Sequence, residues 1–591
     1  MAGKQRHNKG RQVRRTENTT APRFAARRRV MLGGLLCAAA LLIAGAWYQQ
    51  VLRTDFLQQK GDYKHISYKD IPARRGRILD RNDEVLAVSN PVDSVWADPR
   101  VLPQDNETVR ILAQVLKTNA DDLRQKLSRY RNKHFIYLAR WMTPADARQV
   151  MAMLKEKGVK GVSLQREYRR YYPAGEYFSH VIGFSGRDER GLEGLELQYD
   201  RELNAEAGRK MVLKDARRHL LANVASIRKP RGGKDIVLSL DRRLQFYAYR
   251  ALKKAVVRHN AKSASLVMLD VDSGEVLAMV SQPSYNPNAS HGNLGGKARN
   301  RPIIDTFEPG STMKPLTLAT AMELGYITEH TKIDTGEGFI RIGRNKVSDP
   351  KRYGVLDPAG VLHRSSNVGS ATIAFKIPEK DHWKMLDRYG FGQPVMIDFP
   401  GEVSGSLRDY GLWSRIDQAN LAFGYGLSTS TLQLAQAYVI LAADGVRRPL
   451  SLLRVDKPVE GERVLSVETA RSLRKMMEGV VSAGGTAPKA AVSGYRVAGK
   501  TGTVIKLGAQ GYKDKKKKYR ALFAGMAPAT APKLVMVIVF DEPRKKGFYG
   551  GQVAAPVFSE VMGHALRLLN VAPDKKQTNT GLQVASAGGV Q

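Results

Sequence analysis

A run of 19 residues without a charged side chain, positions 30–48, constrains this chain more than any other feature. At about 1.5 Å per residue, a helix of that length roughly spans the hydrocarbon core of a lipid bilayer. Trp47 and Tyr48 stand at its far end, where aromatic side chains favour the membrane interface. The run therefore predicts a single membrane-spanning helix.

Residues 1–29 precede this run and are rich in lysine and arginine, with Glu17 as their one acidic residue. A segment this polar cannot pack a core, so we expect a disordered cytoplasmic tail. Positive charge keeps its flank in the cytoplasm, which places the remaining chain on the other side of the membrane. A cleaved signal peptide is the alternative, because Ala44-Gly-Ala46 resembles a cleavage site. The length of the basic segment and of the apolar run favours an anchor.

The composition supports several folded units and argues against metal-dependent chemistry. A chain of 591 residues, 42% of them hydrophobic, has room for about three to four units with their own cores. Cys37 is the one cysteine, so neither an intramolecular disulfide nor a cysteine zinc site can form. The 11 histidines show no spacing typical of metal ligands. We therefore expect no cofactor and no metal.

The formal net charge of +39 is large and fits three kinds of partner. Nucleic acid, an anionic membrane surface and a polyanionic substrate would each be attracted to it. The predicted export of the basic bulk argues against nucleic acid, and so does the lack of a basic repeat interleaved with aromatic residues. We expect no nucleic-acid partner.

The chain after the apolar run divides into two regions by composition. Residues 52–234 are polar and mixed, with a helical pattern over 107–126. Residues 235–570 begin with a strand and a helix, continue with a hairpin over 263–280, and end with three strands and an amphipathic helix. Strands at both ends with helices between them predict an α+β domain, a sheet packed against helices. We expect residues 571–591 to be a disordered tail.

The stretch Ser311-Thr-Met-Lys314 carries the strongest catalytic signal. A helix beginning at Ser311 would present Ser311 and Lys314 on one face of its first turn. Gly310 allows a sharp turn before it, and Pro315 fits only near a helix start. A serine hydroxyl attacks once a neighbour accepts its proton. A lysine can do so when burial and nearby positive charge lower its pKa.

Two further motifs raise the specificity of this signal. Ser311-Thr-Met-Lys314 is followed by Ser365-Ser-Asn367 and then by Lys500-Thr-Gly-Thr503. The first pattern alone is weak, because Ser226-Ile-Arg-Lys229 and Ser472-Leu-Arg-Lys475 repeat it. The three motifs in this order are typical of penicillin-binding proteins and serine β-lactamases.

The residue types of these motifs suit acyl transfer through a serine. Ser311 would attack a carbonyl, and Lys314 would take its proton. Ser365 would relay that proton toward the departing amine, with Lys500 supplying positive charge nearby. Asn367 would hold Lys314 and the substrate backbone through its amide.

The last motif also suits the end of a peptide. The hydroxyls of Thr501 and Thr503, beside a cation, fit a terminal carboxylate. Gly502 would let a substrate strand approach closely. The backbone N–H groups of Ser311 and Thr503 are candidate oxyanion donors.

The sequence resembles the class B penicillin-binding proteins, and among them the division-specific septal peptidoglycan transpeptidases of Gram-negative bacteria, the FtsI type. The likeness covers most of residues 30–570. Besides the apolar anchor and the three motifs, it includes Arg75-Gly-Arg-Ile-Leu-Asp-Arg81, Arg170-Tyr-Tyr-Pro-Ala-Gly175, Tyr549-Gly-Gly551 and Pro556-Val-Phe558.

This resemblance implies an acyl-serine enzyme that acts on the D-Ala-D-Ala end of a stem peptide and forms 4→3 cross-links at the septum. β-Lactams would acylate the same serine. It further implies a single-pass protein of the inner membrane with a cytoplasmic N-terminus and a periplasmic catalytic domain at 235–570. Residues 52–234 would form a pedestal that docks FtsW and other divisome proteins.

Several related interpretations share these motifs. An elongation-specific class B transpeptidase fits them, and so does a D,D-carboxypeptidase, which uses water in place of an amine. A β-lactamase would need a water-activating base, and no Glu-x-x-Leu-Asn pattern lies between Ser311 and Lys500. A purely structural division scaffold is the non-enzymatic alternative. The loop Lys513-Asp-Lys-Lys-Lys-Lys518 prompts the hypothesis of a contact with anionic lipid or cell-wall polymer.

Overall fold

The computed structural model describes residues 21–57, 66–214, 220–289, 294–506 and 517–575. The predictions for positions 1–20, for most of the lysine-rich loop at 513–518 and for the tail beyond 575 lie outside these residues. The chain forms two compact units. One comprises the described parts of Met1–Ile71 and Ala207–Pro230, and the other those of Pro72–Glu206 and Arg231–Gln591.

The first helix, α1 (Ala21–Trp47), continues as a π-helical turn over Tyr48–Leu52. It is long and apolar enough over Phe24–Leu52 to cross a membrane, by length and composition. The helix begins nine residues before the uncharged run, so the expectation of disorder is wrong for residues 21–29. Alanine and arginine are strong helix formers, which explains why the basic flank joins the helix.

The next elements lead from this helix through both units. In chain order they are β1 (Ile66–Ile71), β2 (Ile78–Leu79), β3 (Val85–Ala97), α2 (Asn106–Leu116), α3 (Ala120–Arg129), β4 (Ile136–Met142), α4 (Pro144–Glu156), β5 (Val162–Tyr171), β6 (Gly208–Lys214), β7 (Leu220–Arg228) and β8 (Ile236–Val237). Short helical turns lie at Ser179–Ile182, Gly194–Gln198 and Asp200–Leu203. In the first unit, β1, β6 and β7 form an antiparallel sheet in that order.

In the second unit, the long strand β3 is paired with β2, β4 and β5, and β2 runs parallel to β8. Apolar side chains of β3, α2, α3 and α4 bury a core of their own, with Val95, Leu112 and Leu154 at most 1% exposed. The single helix predicted over 107–126 is wrong, because the structure has two helices there. Lys117 adopts a left-handed conformation, and the Asn119 side chain caps the start of α3.

The remaining elements belong to the C-terminal part of the second unit. They are α5 (Arg242–His259), β9 (Ser263–Asp270), β10 (Val276–Gln282), α6 (Lys314–Glu323), β11 (Ile333–Asp334), β12 (Phe339–Ile342), β13 (Asn345–Ser348), β14 (Val355–Leu356), α7 (Pro358–Arg364), α8 (Asn367–Ala374), α9 (Glu379–Arg388), α10 (Arg415–Ala422), α11 (Thr431–Ala442), β15 (Val446–Arg447), β16 (Glu462–Arg463), α12 (Val467–Val481), β17 (Ala498–Ile505), β18 (Tyr519–Ala527), β19 (Leu534–Asp541) and α13 (Ala555–Leu568).

A five-stranded antiparallel sheet in the order β10-β9-β19-β18-β17 forms the centre of this part. The predicted hairpin is β9 and β10, and the three predicted C-terminal strands are β17, β18 and β19. These strands are almost wholly buried, which requires helices on both faces. The prediction of an α+β fold with a sheet packed against helices is therefore confirmed.

The two faces of this sheet carry different helices. Ser265 of β9 is hydrogen-bonded to Thr431 of α11, whereas Phe523 of β18 packs edge-to-face on Phe558 of α13. The register places Ser265 opposite Val539 and Val539 opposite Leu522, the neighbour of Phe523. Because successive side chains of a strand point to opposite faces, α11 and α13 cover opposite faces of the sheet.

Candidate active site

Ser311 lies in a 3₁₀ turn, Gly310–Met313, that leads directly into α6. The α-helix thus begins at Lys314, three residues later than the sequence pattern predicted. In a 3₁₀ turn the side chains at i and i+3 are eclipsed, so Ser311 and Lys314 still project from one side. Gly310 has φ of +56°, and a β-carbon there would lie 2.4 Å from the Val504 side chain. The sharp turn before the serine therefore requires glycine.

Lys314 is fully buried and is held by the middle motif. Its Nζ donates to the backbone oxygen of Ser365 at 2.5 Å and to Oδ1 of Asn367 at 2.8 Å, and lies 3.3 Å from Ser365 Oγ. Lys500 is also fully buried, and its Nζ lies 2.9 Å from the same Ser365 Oγ. The structure therefore brings residues from all three motifs together, as their joint occurrence predicted.

The electrostatics of this cluster disfavour two charged lysines. Burial holds the pKa of the Lys314 ammonium well below its usual range, the positive charge of Lys500 lowers it further, and Asp349 acts in the opposite direction. Burial also lowers the pKa of Lys500 to about 7. This lowered pKa favours the neutral amine form of Lys314, which can accept a proton.

Ser365 occupies an unusual backbone position between two helices. It ends α7 in the left-handed conformation with φ of +56°, and α8 begins at Asn367. The side chain of Ser366 caps α8, so it points away from the lysines. The break between the helices thus aims the first and third residues of this motif at Lys314.

Asp349 holds this motif in place and was missed by the sequence analysis. Its carboxylate accepts hydrogen bonds from the Ser366 hydroxyl, from the backbone N–H of Asn367 at 2.5 Å and from that of Val368 at 3.2 Å. A negative charge at a helix N-terminus is favourable. Asp349 lies in the loop after β13, and nothing in its local sequence signals this contact.

The third motif lies on β17, the edge strand next to the serine turn. A β-carbon on Gly502 would lie 3.1 Å from the Pro309 oxygen and 3.2 Å from Thr312 Cγ2. Glycine at this position therefore lets the serine turn pack onto the strand, a role that the sequence analysis did not foresee. The Lys500 side chain, paired with Ala524 in register, lies on the same face as Gly502.

The two threonines of the motif point to the other face and have partners of their own. Thr501 is 8% exposed, and its Oγ1 lies 2.8 Å from Thr486 Oγ1. Thr503 is half-buried, and its Oγ1 accepts a hydrogen bond from the backbone N–H of Gly550 at 3.1 Å. The stretch Tyr549-Gly-Gly551 thus contacts the third motif directly.

The chance copies of the first motif differ from the Ser311 site in their surroundings. Ser226 lies on a strand, β7, and Lys229 is exposed. Ser472 bonds Glu329 from α12, and Lys475 is exposed to solvent. Neither copy provides a buried amine, which the chemistry requires.

Comparisons with known proteins agree with this fold and site. Residues 264–563 match the family described as "Penicillin binding protein transpeptidase domain", and residues 70–238 match "Penicillin-binding Protein dimerisation domain". The "Probable peptidoglycan D,D-transpeptidase PbpC" of Pseudomonas aeruginosa is 40% identical over 549 residues, 93% of this chain and 96% of that protein. "Peptidoglycan D,D-transpeptidase FtsI" of Escherichia coli K12 is 38% identical over 554 residues, 93% of each chain.

Solved structures show the same similarity. The transpeptidase domain of Burkholderia pseudomallei penicillin-binding protein 3 is 42% identical and covers 57% of this chain and 98% of its own, with a TM-score of 0.53. A peptidoglycan synthetase from Bifidobacterium adolescentis, 23% identical, shares the fold over 87% of this chain and 98% of its own, with a TM-score of 0.68. The chain belongs to the class B penicillin-binding proteins, the peptidoglycan D,D-transpeptidases of the FtsI and PenA type. The resemblance and the enzyme class predicted from the motifs are confirmed.

Proposed function

We propose that the protein cross-links peptidoglycan at the division septum through an acyl-serine intermediate on Ser311. One observation carries this proposal: Lys314, whose pKa is lowered by burial and by the charge of Lys500, projects from the same side of the turn as Ser311. Its relatives are peptidoglycan D,D-transpeptidases, which supports stem peptides as the substrate. β-Lactams would acylate the same serine.

In the first half-reaction, Lys314 accepts the Ser311 proton as Oγ attacks the carbonyl carbon of the penultimate D-Ala. The backbone N–H groups of Ser311 and Thr503 stabilise the resulting oxyanion, and losing one such donor costs about 3–4 kcal/mol. The proton then passes through the Ser365 hydroxyl, which contacts both lysines, to the nitrogen of the terminal D-Ala. That peptide bond breaks, D-Ala leaves, and the serine carries an ester.

The third motif binds the end of the peptide in this proposal. Lys500 supplies the positive charge that attracts the terminal carboxylate. Thr501 and Thr503 point to the other face of β17, so their hydroxyls would reach that carboxylate only after turning away from Thr486 and Gly550. Asn367 holds Lys314 and the substrate backbone. Gly502, packed against the serine turn, keeps the edge strand β17 close to the acylated serine.

In the second half-reaction, an amine of a neighbouring stem peptide attacks the ester carbonyl. Its proton returns by the same route, the ester bond breaks, and Ser311 is restored with a 4→3 cross-link formed. A D,D-carboxypeptidase would differ only in using water as the acceptor.

The organisation of the chain in the membrane is also part of the proposal. The apolar helix would anchor the protein in the inner membrane, with residues 1–29 in the cytoplasm and the catalytic domain, residues 235–570, in the periplasm. Residues 52–234 would be the pedestal that docks FtsW and other divisome proteins. The expectation of a disordered tail over 571–591 is wrong for its first residues, because Val571 and Asp574 accept hydrogen bonds from Tyr495 and Arg496; the rest of the tail lies outside the described residues.

Mass spectrometry of the reaction products tests the reaction. The purified full-length protein, given peptidoglycan strands with pentapeptide stems, should produce cross-linked dimers, and Ser311→Ala should produce none. Tetrapeptide monomers without dimers would instead favour a carboxypeptidase. Depletion of the protein followed by microscopy tests the septal role: filaments support it, and round cells would support the elongation-specific alternative.

A further inference from the structure

A groove runs along α5 on the far side of the domain from the catalytic lysines. Three adjoining cavities form it, with volumes of about 570, 190 and 250 Å³. The first and second are both lined by Tyr247, and the second and third by both Lys254 and Glu560. From Arg243 to Arg258 the groove is roughly 22 Å long, at about 1.5 Å per helical residue. An extended ligand fits this shape better than a compact one.

One end of the groove is a row of aromatic rings. The ring centroids of Tyr177 and Phe246 are 5.5 Å apart, those of Phe246 and Tyr247 are 6.0 Å apart, and Tyr247 stacks on His564 at 4.7 Å. Phe246 is 42% exposed and Tyr247 is 38% exposed. Contiguous exposed rings of this kind mark interaction sites.

The other end of the groove is cationic. Arg250, Lys254, Arg258 and Lys489 line it and are exposed. Within the described part of the chain, none of these four side chains forms an ion pair, and Glu560 is the one acidic residue among them. This group differs from Arg242 and Arg243 at the aromatic end, which pair with Glu84 and Asp241.

The groove and the catalytic lysines are on opposite faces of the central sheet. The register places Lys500 opposite Ala524, whose side chain points away from that of its neighbour Phe523. Phe523 packs against Phe558 of α13, the helix that forms one wall of the groove with α5. A ligand in the groove is therefore separate from the peptide at Ser311.

We propose that this groove binds a glycan strand of peptidoglycan with its stem peptides. The exposed rings stack against the flat faces of the sugars, and the unpaired cations bind the carboxylates of the stems. The groove would thus hold a second strand of the substrate polymer away from the reacting peptide. This inference rests on the proposed function, because it takes the polymer to be peptidoglycan. The chief rival is an acidic, extended segment of a partner protein.

Co-sedimentation with purified peptidoglycan sacculi tests the proposal. The full-length, detergent-solubilised protein is first acylated with penicillin, so that binding at Ser311 is blocked. We expect it still to sediment, with Phe246→Ala/Tyr247→Ala and Arg250→Gln/Lys254→Gln each weakening the apparent affinity about tenfold. The second variant should also lose much of the dependence on salt. Labelling by fluorescent penicillin should be unchanged in both.

Matched variants away from the groove serve as controls. Tyr326→Ala removes an exposed ring, and Lys376→Gln/Lys384→Gln removes two exposed charges elsewhere in the domain. If these controls weaken sedimentation as much as the groove variants, binding is non-specific and the proposal fails. It also fails if the groove variants sediment normally, or if polyglutamate binds the groove while sacculi do not, which would favour the protein partner. A protein that fails to label with penicillin would contradict the proposed function instead.

Discussion

Lys500 Nζ lies 2.9 Å from Ser365 Oγ, and this hydroxyl also lies 3.3 Å from Lys314 Nζ. One serine side chain thus connects the amine that activates the nucleophile with the cation of the third motif. Because both lysines are buried, their protonation is linked through this contact. The arrangement explains why the chemistry needs all three motifs together.

Loss of charge on Lys500 should make acylation decline as the pH rises. Burial lowers the pKa of this lysine to about 7, so it is charged below that pH and neutral above it. The second-order rate constant for fluorescent penicillin, whose carboxylate needs the cation, should fall by up to tenfold per pH unit above about pH 7. Lys500→Arg keeps its charge throughout, so this variant should be slower but show no such decline. If the pH–rate profiles of the native protein and of Lys500→Arg decline in parallel, the decline does not come from loss of charge on Lys500.

Replacing Asp349 should disturb the middle motif without unfolding the domain. Asp349→Asn removes the charge that binds Ser366 and the start of α8, so acylation should slow by about ten- to a hundredfold. Because Asp349 raises the pKa of Lys314, the acidic limb of the pH–rate profile should also move to lower pH. Stopped-flow labelling over a pH series measures both effects. If the acidic limb does not move, the role of Asp349 is purely structural. Asp456 is exposed, so Asp456→Asn serves as the control.

A β-carbon at Gly502 should force the serine turn away from its strand. Gly502→Ala would place that atom 3.1 Å from the Pro309 oxygen and 3.2 Å from Thr312 Cγ2. Overpacking of this kind costs about 1–3 kcal/mol of stability, and the displaced serine should label far more slowly. Thermal unfolding and penicillin labelling measure the two effects. Gly232→Ala, where the nearest atom is 3.5 Å away, should change neither; normal labelling of Gly502→Ala would refute the packing argument.

A buried ion-pair network joins the stretches Arg75–Arg81 and Arg170–Gly175, which lie outside the catalytic motifs. Glu196 accepts from Arg75 Nε at 2.8 Å and from Arg170 Nε at 2.7 Å, and all three side chains are at most 3% exposed. Glu196→Gln would leave two buried guanidinium groups without their shared carboxylate, so we expect a loss of about 3–5 kcal/mol of stability. Resistance to limited proteolysis and the melting temperature measure it. Glu460 is exposed, so Glu460→Gln should melt at the same temperature as the native protein. An unchanged melting temperature for Glu196→Gln would contradict the predicted role of the network.

The sequence predicted the parts of the site that are local in the chain. The sequence predicted an α-helix at Ser311, and the structure has a 3₁₀ turn there. The expected proximity of Ser311 and Lys314 is unaffected, because both geometries place residues i and i+3 on one side. The β9–β10 hairpin and the three C-terminal strands follow from short apolar runs between turns. Patterns of this kind depend on neighbours in the chain.

Contacts between distant segments were not predictable in the same way. Asp349 reaches the second motif from a preceding hairpin, and the neighbours of Gly502 belong to a turn almost 200 residues earlier. The break in the predicted helix is local by contrast, because Lys117 ends α2 and Asn119 caps the start of α3. The groove depends on Tyr247 and His564 meeting across two helices from opposite ends of the domain. Tertiary packing decides the contacts of Asp349, the neighbours of Gly502 and the groove.

Labelling of the full-length protein with fluorescent penicillin tests the central claim most directly. After digestion, mass spectrometry should place the label on the peptide that contains Ser311, with one label per protein chain. Ser311→Ala should melt at the same temperature and take no label, because it lacks the hydroxyl that forms the ester. A label on any other residue, or an Ser311→Ala protein that still labels, would contradict the account.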